Sequence, residues 1–139
     1  MNLTDQQIDQ IAEDLDSGML CFVHKETSEV ESFTSEDDPL FDKEAWQEII
    51  DKVKNNREDY LEFSPMDSHE AFEVMENFAL SLNDEKQKSK LIKILDRPKP
   101  FANFKSEVEE SDFKKDWDEF EKKANVKWVE KQIEYYDRL

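Results

Sequence analysis

The sequence predicts an α+β fold, mostly α, in which a small antiparallel sheet (a hairpin plus a third strand) packs with several helices. Three observations point there. Apolar residues recur at helical spacing in several segments, notably Ile8, Ile11, Ala12 and Leu15, and Trp46, Ile49, Ile50 and Val53. Three short runs, Met19–Lys25, Glu29–Thr34 and Tyr60–Phe63, are rich in strand formers and bounded by turn residues. Helix and strand do not alternate regularly along the chain, which argues against a parallel βαβ design. The 139 residues suit one domain, 1–139.

The elements follow in order. Thr4 and Gln7 have the spacing of a capping box, and Leu3 and Ile8 that of a hydrophobic staple, so a helix begins at Asp5. It ends at Gly18, the only glycine, where a left-handed residue is wanted. The next two runs read as a β-hairpin across Glu26, Thr27 and Ser28. Without Gly or Asn there, a type I turn with a bulge is expected instead of a tight two-residue turn. An acidic connector, Ser35–Asp42, leads to the helix of Trp46 and Val53. Tyr60–Phe63 is a third strand, stopped by Pro65. Asp67 with Glu70 marks the next helix start, and that helix, running to about Leu82, is expected to be the most buried. Asn83 and Asp84 reopen a helix bearing Leu91, Ile92, Ile94 and Leu95, ended by Pro98 and Pro100. Phe101 and Phe104 start a shorter one.

From Ser111 a long helical pattern puts Phe113, Trp117, Phe120, Ala124, Trp128 and Tyr135 on one face. Val126, Val129, Ile133 and Tyr136 form a second stripe. A helix apolar on two sides needs two partners. The expectation is a bend near Asn125, or a wrap-around of the helix, that turns both stripes inward, favoured over a homodimer, because contiguous apolar patches are uncommon on monomers.

Composition excludes many activities. One Gly, one Cys and two His leave no Gly-rich phosphate cradle, no disulfide, no cysteine-based zinc site and no His-Glu-x-x-His helix. Cofactors and resident metals are therefore not expected. Met1–Gly18 carries five acids and no base, the opposite of a secretory leader, and the longest uncharged stretch, Ser17–His24, is too short to span a bilayer. A cytoplasmic protein is expected, with Cys21 packing as a small hydrophobe on a strand.

The best polar constellation is Asp67, Ser68, His69, Glu70, Glu73 and Glu76. Ser68 and His69 are sequence neighbours whose side chains diverge by about 100° on a helix, so they cannot make a nucleophile-base pair. Helix capping by Asp67 or Ser68, with Glu70 answering, accounts for the segment. The rival is a hydrolase or metal-dependent site at Asp67, His69, Glu70 and Glu73. His69, Glu73 and Glu76 share a polar strip that could face one divalent ion, but the set lacks further ligands. Glu36, Asp37, Asp38 and Asp42 lack the rhythm and the glycine of a calcium loop.

The stretch Tyr60–Phe78, YLEFSPMDSHEAFEVMENF, resembles the bacterial uncharacterised protein family 0158 through Pro65, the Asp67-Ser68 pair, Glu70, Met75 and Phe78. Phe101-x-x-Phe104-Lys105, the Trp117–Phe120 aromatics and the opening helix and hairpin extend the likeness over most of the chain. The acidic connector at Ser35–Phe41 is the least typical part. The resemblance implies a small, soluble bacterial protein and supplies no catalytic residue.

Charge is distributed unevenly. Residues 1–70 hold 20 acids against 5 bases, whereas 71–139 hold 16 against 14, with a basic island at 86–99 (Lys86, Lys88, Lys90, Lys93, Arg97, Lys99, opposed by Asp96 alone). A dedicated nucleic-acid binder has a basic domain, so that partner is disfavoured and the island reads as a solvated helix face. The function expected is non-enzymatic: binding of another protein, of unknown identity, through an acidic surface. The alternatives are the enzyme centred on Asp67–Glu73 and a mimic of nucleic acid.

Overall fold

The computed structural model describes residues 1–139 and has an α+β fold, mostly α, with a three-stranded antiparallel sheet. The elements are α1 (Asp5–Asp16), β1 (Met19–His24), β2 (Val30–Thr34), α2 (Lys43–Asn55), β3 (Tyr60–Phe63), α3 (Ser68–Ser81), α4 (Glu85–Leu95), α5 (Pro100–Glu109) and α6 (Lys114–Asp137). A 3₁₀ turn at Arg57–Asp59, which the sequence pattern does not announce, leads into β3. The chain divides into two compact units, Met1–Pro65 with Asn125–Leu139, and Met66–Ala124.

The first unit is built on the sheet, in the order β2-β1-β3 with both pairs antiparallel. Because side chains alternate across a strand, Cys21 and Val23 point to one face and Phe22 to the other. Cys21, Val23 and Phe63 pack with Ile11, Ala12 and Leu15 of α1 and Val129 of α6. Phe22, Phe33 and Tyr60 pack with Ile50 and Val53 of α2. One face of the sheet is thus covered by α1 and α6 and the other by α2.

Local chemistry explains the element ends. Thr4 and Gln7 form the full capping box of α1. Gly18, at φ +86°, follows its last turn and donates to the Leu15 carbonyl at 3.0 Å, a conformation in which a Cβ is strained. The hairpin differs from the expected type I turn. Ser28 N–H reaches back four residues to the His24 carbonyl at 3.0 Å, so the loop is one residue wider. Ser28 takes the left-handed position at φ +61°, and the His24 Nδ1 accepts from Glu26 N–H and Thr27 N–H at 3.1 and 3.2 Å. Side-chain acceptance thus stands in for the missing glycine.

The second unit is helical. Met75, Phe78, Ala79, Leu91, Leu95, Phe104, Val108 and Trp117 form its core. Phe78 sits edge-on to Phe104, Trp117 and Phe120, with ring centroids 6.4, 5.2 and 5.3 Å away, an arrangement that aligns ring edges with ring faces. α3 contributes that central ring. It is not the exceptionally buried helix its composition predicts, since Leu80 is 52% exposed and its fully buried residues, Met75, Phe78 and Ala79, number no more than those of α1.

α6 corrects the expectation of a bend. It runs as one 24-residue helix through Asn125. Phe113 and Phe120 pack with Trp117 against the second unit's core, and Val126, Ile133 and Tyr136 join Val129 in the first unit's. Twenty-four residues extend about 36 Å, so the two stripes are used at different heights along the axis. Both are covered within the chain. Tyr135, expected on the first stripe, is 61% exposed.

Candidate functional site

The Asp67–Glu73 segment is a helix start on the surface. Asp67 caps α3, its Oδ1 accepting from Glu70 N–H at 2.8 Å. The reciprocal bond seen at Thr4 and Gln7 is not formed by Glu70, which corrects the expected capping box to a one-way cap. His69 Nε2 lies 3.2 Å from Glu73, one turn later, and both side chains are more than half exposed. Ser68 is bonded to neither. A histidine and a carboxylate in open solvent sit in high dielectric, where their interaction is weak.

Several of the other sequence candidates are engaged within the chain. Asp42 caps α2 by accepting from Glu44 N–H and Ala45 N–H, Asp38 accepts from Leu40 N–H at 2.8 Å, and Glu36 pairs with Lys54 at 3.0 Å. Glu76 is exposed on α3. No three His, Cys, Asp or Glu side chains converge where they could hold a metal ion. No helix is long and apolar enough to cross a membrane. In the basic island, Lys90 is tied to Glu107 at 2.7 Å, and Lys86, Lys93, Arg97 and Lys99 are exposed along α4 and the turn before α5.

Cys21 is buried at the centre of the sheet, its Sγ 3.2 Å from Ser32 Oγ. Burial raises its thiol to about pH 11, only partly opposed by the Ser32 hydrogen bond. Such a thiol remains protonated at neutral pH and is a poor nucleophile.

The feature that stands out is α1. Asp5, Asp9, Glu13 and Asp16 are exposed and spaced four, four and three residues apart, so they form one ridge along the helix. No lysine or arginine lies between Asp5 and Asp16. Asp5 suits the positive end of the helix dipole, but Glu13, Asp14 and Asp16 crowd the negative end, where no base offsets them. The helix therefore carries acids where they oppose its own stability. The ridge was available to sequence reasoning, since its i, i+4 spacing is visible once the helix is recognised. The first unit as a whole carries 21 acids against 8 bases, and the second 15 against 11.

A model of the family described as Uncharacterised protein family (UPF0158) matches residues 3–137. The chain belongs to that family. For UPF0158, then, the α+β fold described above is the frame in which these sites sit. No curated protein and no solved structure matches the chain significantly.

Proposed function

We propose that this UPF0158 protein is a non-enzymatic binding module that engages a basic protein through the acidic surface of its first unit. The observation that carries this reading is the α1 ridge, whose Glu13 and Asp16, with Asp14 beside them, crowd the negative helix end where the last turn holds no base. Each such placement costs about 0.3–1 kcal/mol at low ionic strength. Lysines or arginines of a partner would relieve that cost and add attraction across a water-poor contact.

Charge density favours a basic protein partner over close imitation of nucleic acid. Four carboxylates over the eleven-residue rise from Asp5 to Asp16 span about 16 Å, roughly one per 5.5 Å. A DNA strand carries a phosphate about every 3.4 Å of axis. The ridge is sparser than the polymer it would copy.

The test is titration of a fluorescent arginine-rich decapeptide into the protein at 50 and 300 mM salt. Binding should be measurable at the lower salt, weaken at the higher, and fall at least tenfold when Asp5, Asp9, Glu13 and Asp16 are replaced by their amides. Unchanged affinity in that variant, or no binding at low salt, would defeat the reading.

A further inference from the structure

The two edges of the sheet are finished differently. The β1–β2 register, with the bond from His24 N–H to the Glu29 carbonyl, makes Glu29, Glu31 and Phe33 the residues whose peptide groups face β1. Those of Val30, Ser32 and Thr34 face away. By the same logic, the bond from Lys25 N–H to the Asp59 carbonyl turns the peptide groups of Leu61 and Phe63 inward and those of Tyr60 and Glu62 outward.

The β3 edge is closed by side chains. Arg57 Nη1 donates to the Tyr60 carbonyl at 3.1 Å, and the Tyr136 hydroxyl donates to the Glu62 carbonyl. Just past the strand, the Gln132 amide accepts from Ser64 N–H at 2.8 Å and donates to the Ser64 carbonyl at 3.1 Å, and Trp128 Nε1 donates to the same carbonyl at 2.8 Å. The Gln132 amide thus behaves as the peptide group of an absent fourth strand. The β2 edge has no counterpart. No group of the chain bonds to the outward N–H and C=O of Val30, Ser32 and Thr34, and all three residues are partly exposed.

We propose that the outer edge of β2 receives an extended basic segment of another protein as a fourth strand. This names the partner class for the acidic-surface reading above and rests on it. Main-chain bonding supplies the attachment, as in other strand additions, over five residues or about 17 Å. Charge at both ends supplies the selection: exposed Glu26 precedes β2 and exposed Asp37 and Asp38 follow it without an ion pair, whereas Glu29 and Glu36 are already held by Lys52 and Lys54. A segment with lysines or arginines flanking a short strand-forming core meets acids at each end.

A second copy of this chain is the wrong occupant on the same grounds. Antiparallel pairing of two β2 edges would bring together molecules each carrying a net charge of −17, with the acidic turns that flank β2 close to one another. Such self-repulsion opposes the pairing.

The probe is a nine-residue peptide of alternating valine and threonine between two lysine pairs, read by residue-resolved amide exchange on the unaltered protein. In the free protein, the N–H groups of Val30, Ser32 and Thr34 should exchange quickly while those of Glu31 and Phe33 are protected. Saturating peptide should slow the first three at least tenfold. The same peptide with glutamates for lysines, or with proline at its centre, should bind at least tenfold more weakly. Ser32→Pro removes an outward N–H at an edge position where proline is tolerated, and should weaken binding by a similar factor. Unchanged exchange at Val30, Ser32 and Thr34 under saturating peptide would overturn the proposal, as would protection of these amides in concentrated protein alone, which would identify a second copy as the occupant. If the peptide binds and only the α1 amide variant weakens it, the acidic-surface reading survives and the edge proposal fails. If no basic probe binds at low salt, both fail.

Discussion

Replacing Asp16 with Asn should stabilise the protein. Asp16 is the last residue of α1, three residues from Glu13, and exposed. Its carboxylate opposes the helix dipole at a cost of about 0.3–1 kcal/mol, and it repels Glu13 by a further 0.2–0.5 kcal/mol or so. The gain expected at low salt is therefore about 0.5–1.5 kcal/mol, a rise of roughly 3 °C in Tm for a chain of this length. Urea unfolding at 20 and 500 mM salt measures it directly. The signature is the salt dependence: screening over a few ångströms at high ionic strength should shrink the difference between Asp16→Asn and the parent by half or more. A loss of stability, or a gain that salt leaves unchanged, would refute the claim that α1 carries acids at a cost to its own helix. The expected trade is a weaker grip on a basic probe, since stabilising changes at a binding surface commonly cost function.

Removing the one-way cap, Asp67→Ala, should cost on the order of 1 kcal/mol in urea unfolding without abolishing any ligand binding. The pH dependence of stability should turn downward in alkali: the Cys21 thiol sits above its unfolded value of 9.0, at about 11, so its contribution is full below pH 9 and is lost as pH rises through 11. Burial raises Tyr136 in the same direction, and Cys21→Ala should reduce the alkaline loss but not remove it. Gln132→Leu removes both the acceptor of the Ser64 N–H and a donor to the Ser64 carbonyl and should lower stability by about 1 kcal/mol, with faster exchange at the Ser64 amide as the local reading.

Much of the secondary structure was legible because its causes are local. The Thr4 and Gln7 box, Gly18 after α1, Asp42 and Asp84 before their helices and the alternation of Val30 and Phe33 depend on residues within a few positions of one another. The α1 ridge belongs to the same class, since helical spacing alone puts Asp5, Asp9, Glu13 and Asp16 on one side. The exposed setting of His69 and Glu73 followed similarly from a polar strip on a helix with an apolar remainder. What tertiary structure decided was everything that joins distant segments. Strand order is one case: that β1 lies between β2 and β3, leaving β2 with a bare edge, depends on where β3 returns after α2, which no local pattern encodes. The closure of β3 by Trp128, Gln132 and Tyr136 spans more than sixty residues of sequence and is made by polar atoms with no periodic signature. The two stripes of α6 are the clearest instance, since a helical wheel collapses position along the axis and shows opposed faces on one core, whereas the length of the helix lets each half serve a different unit.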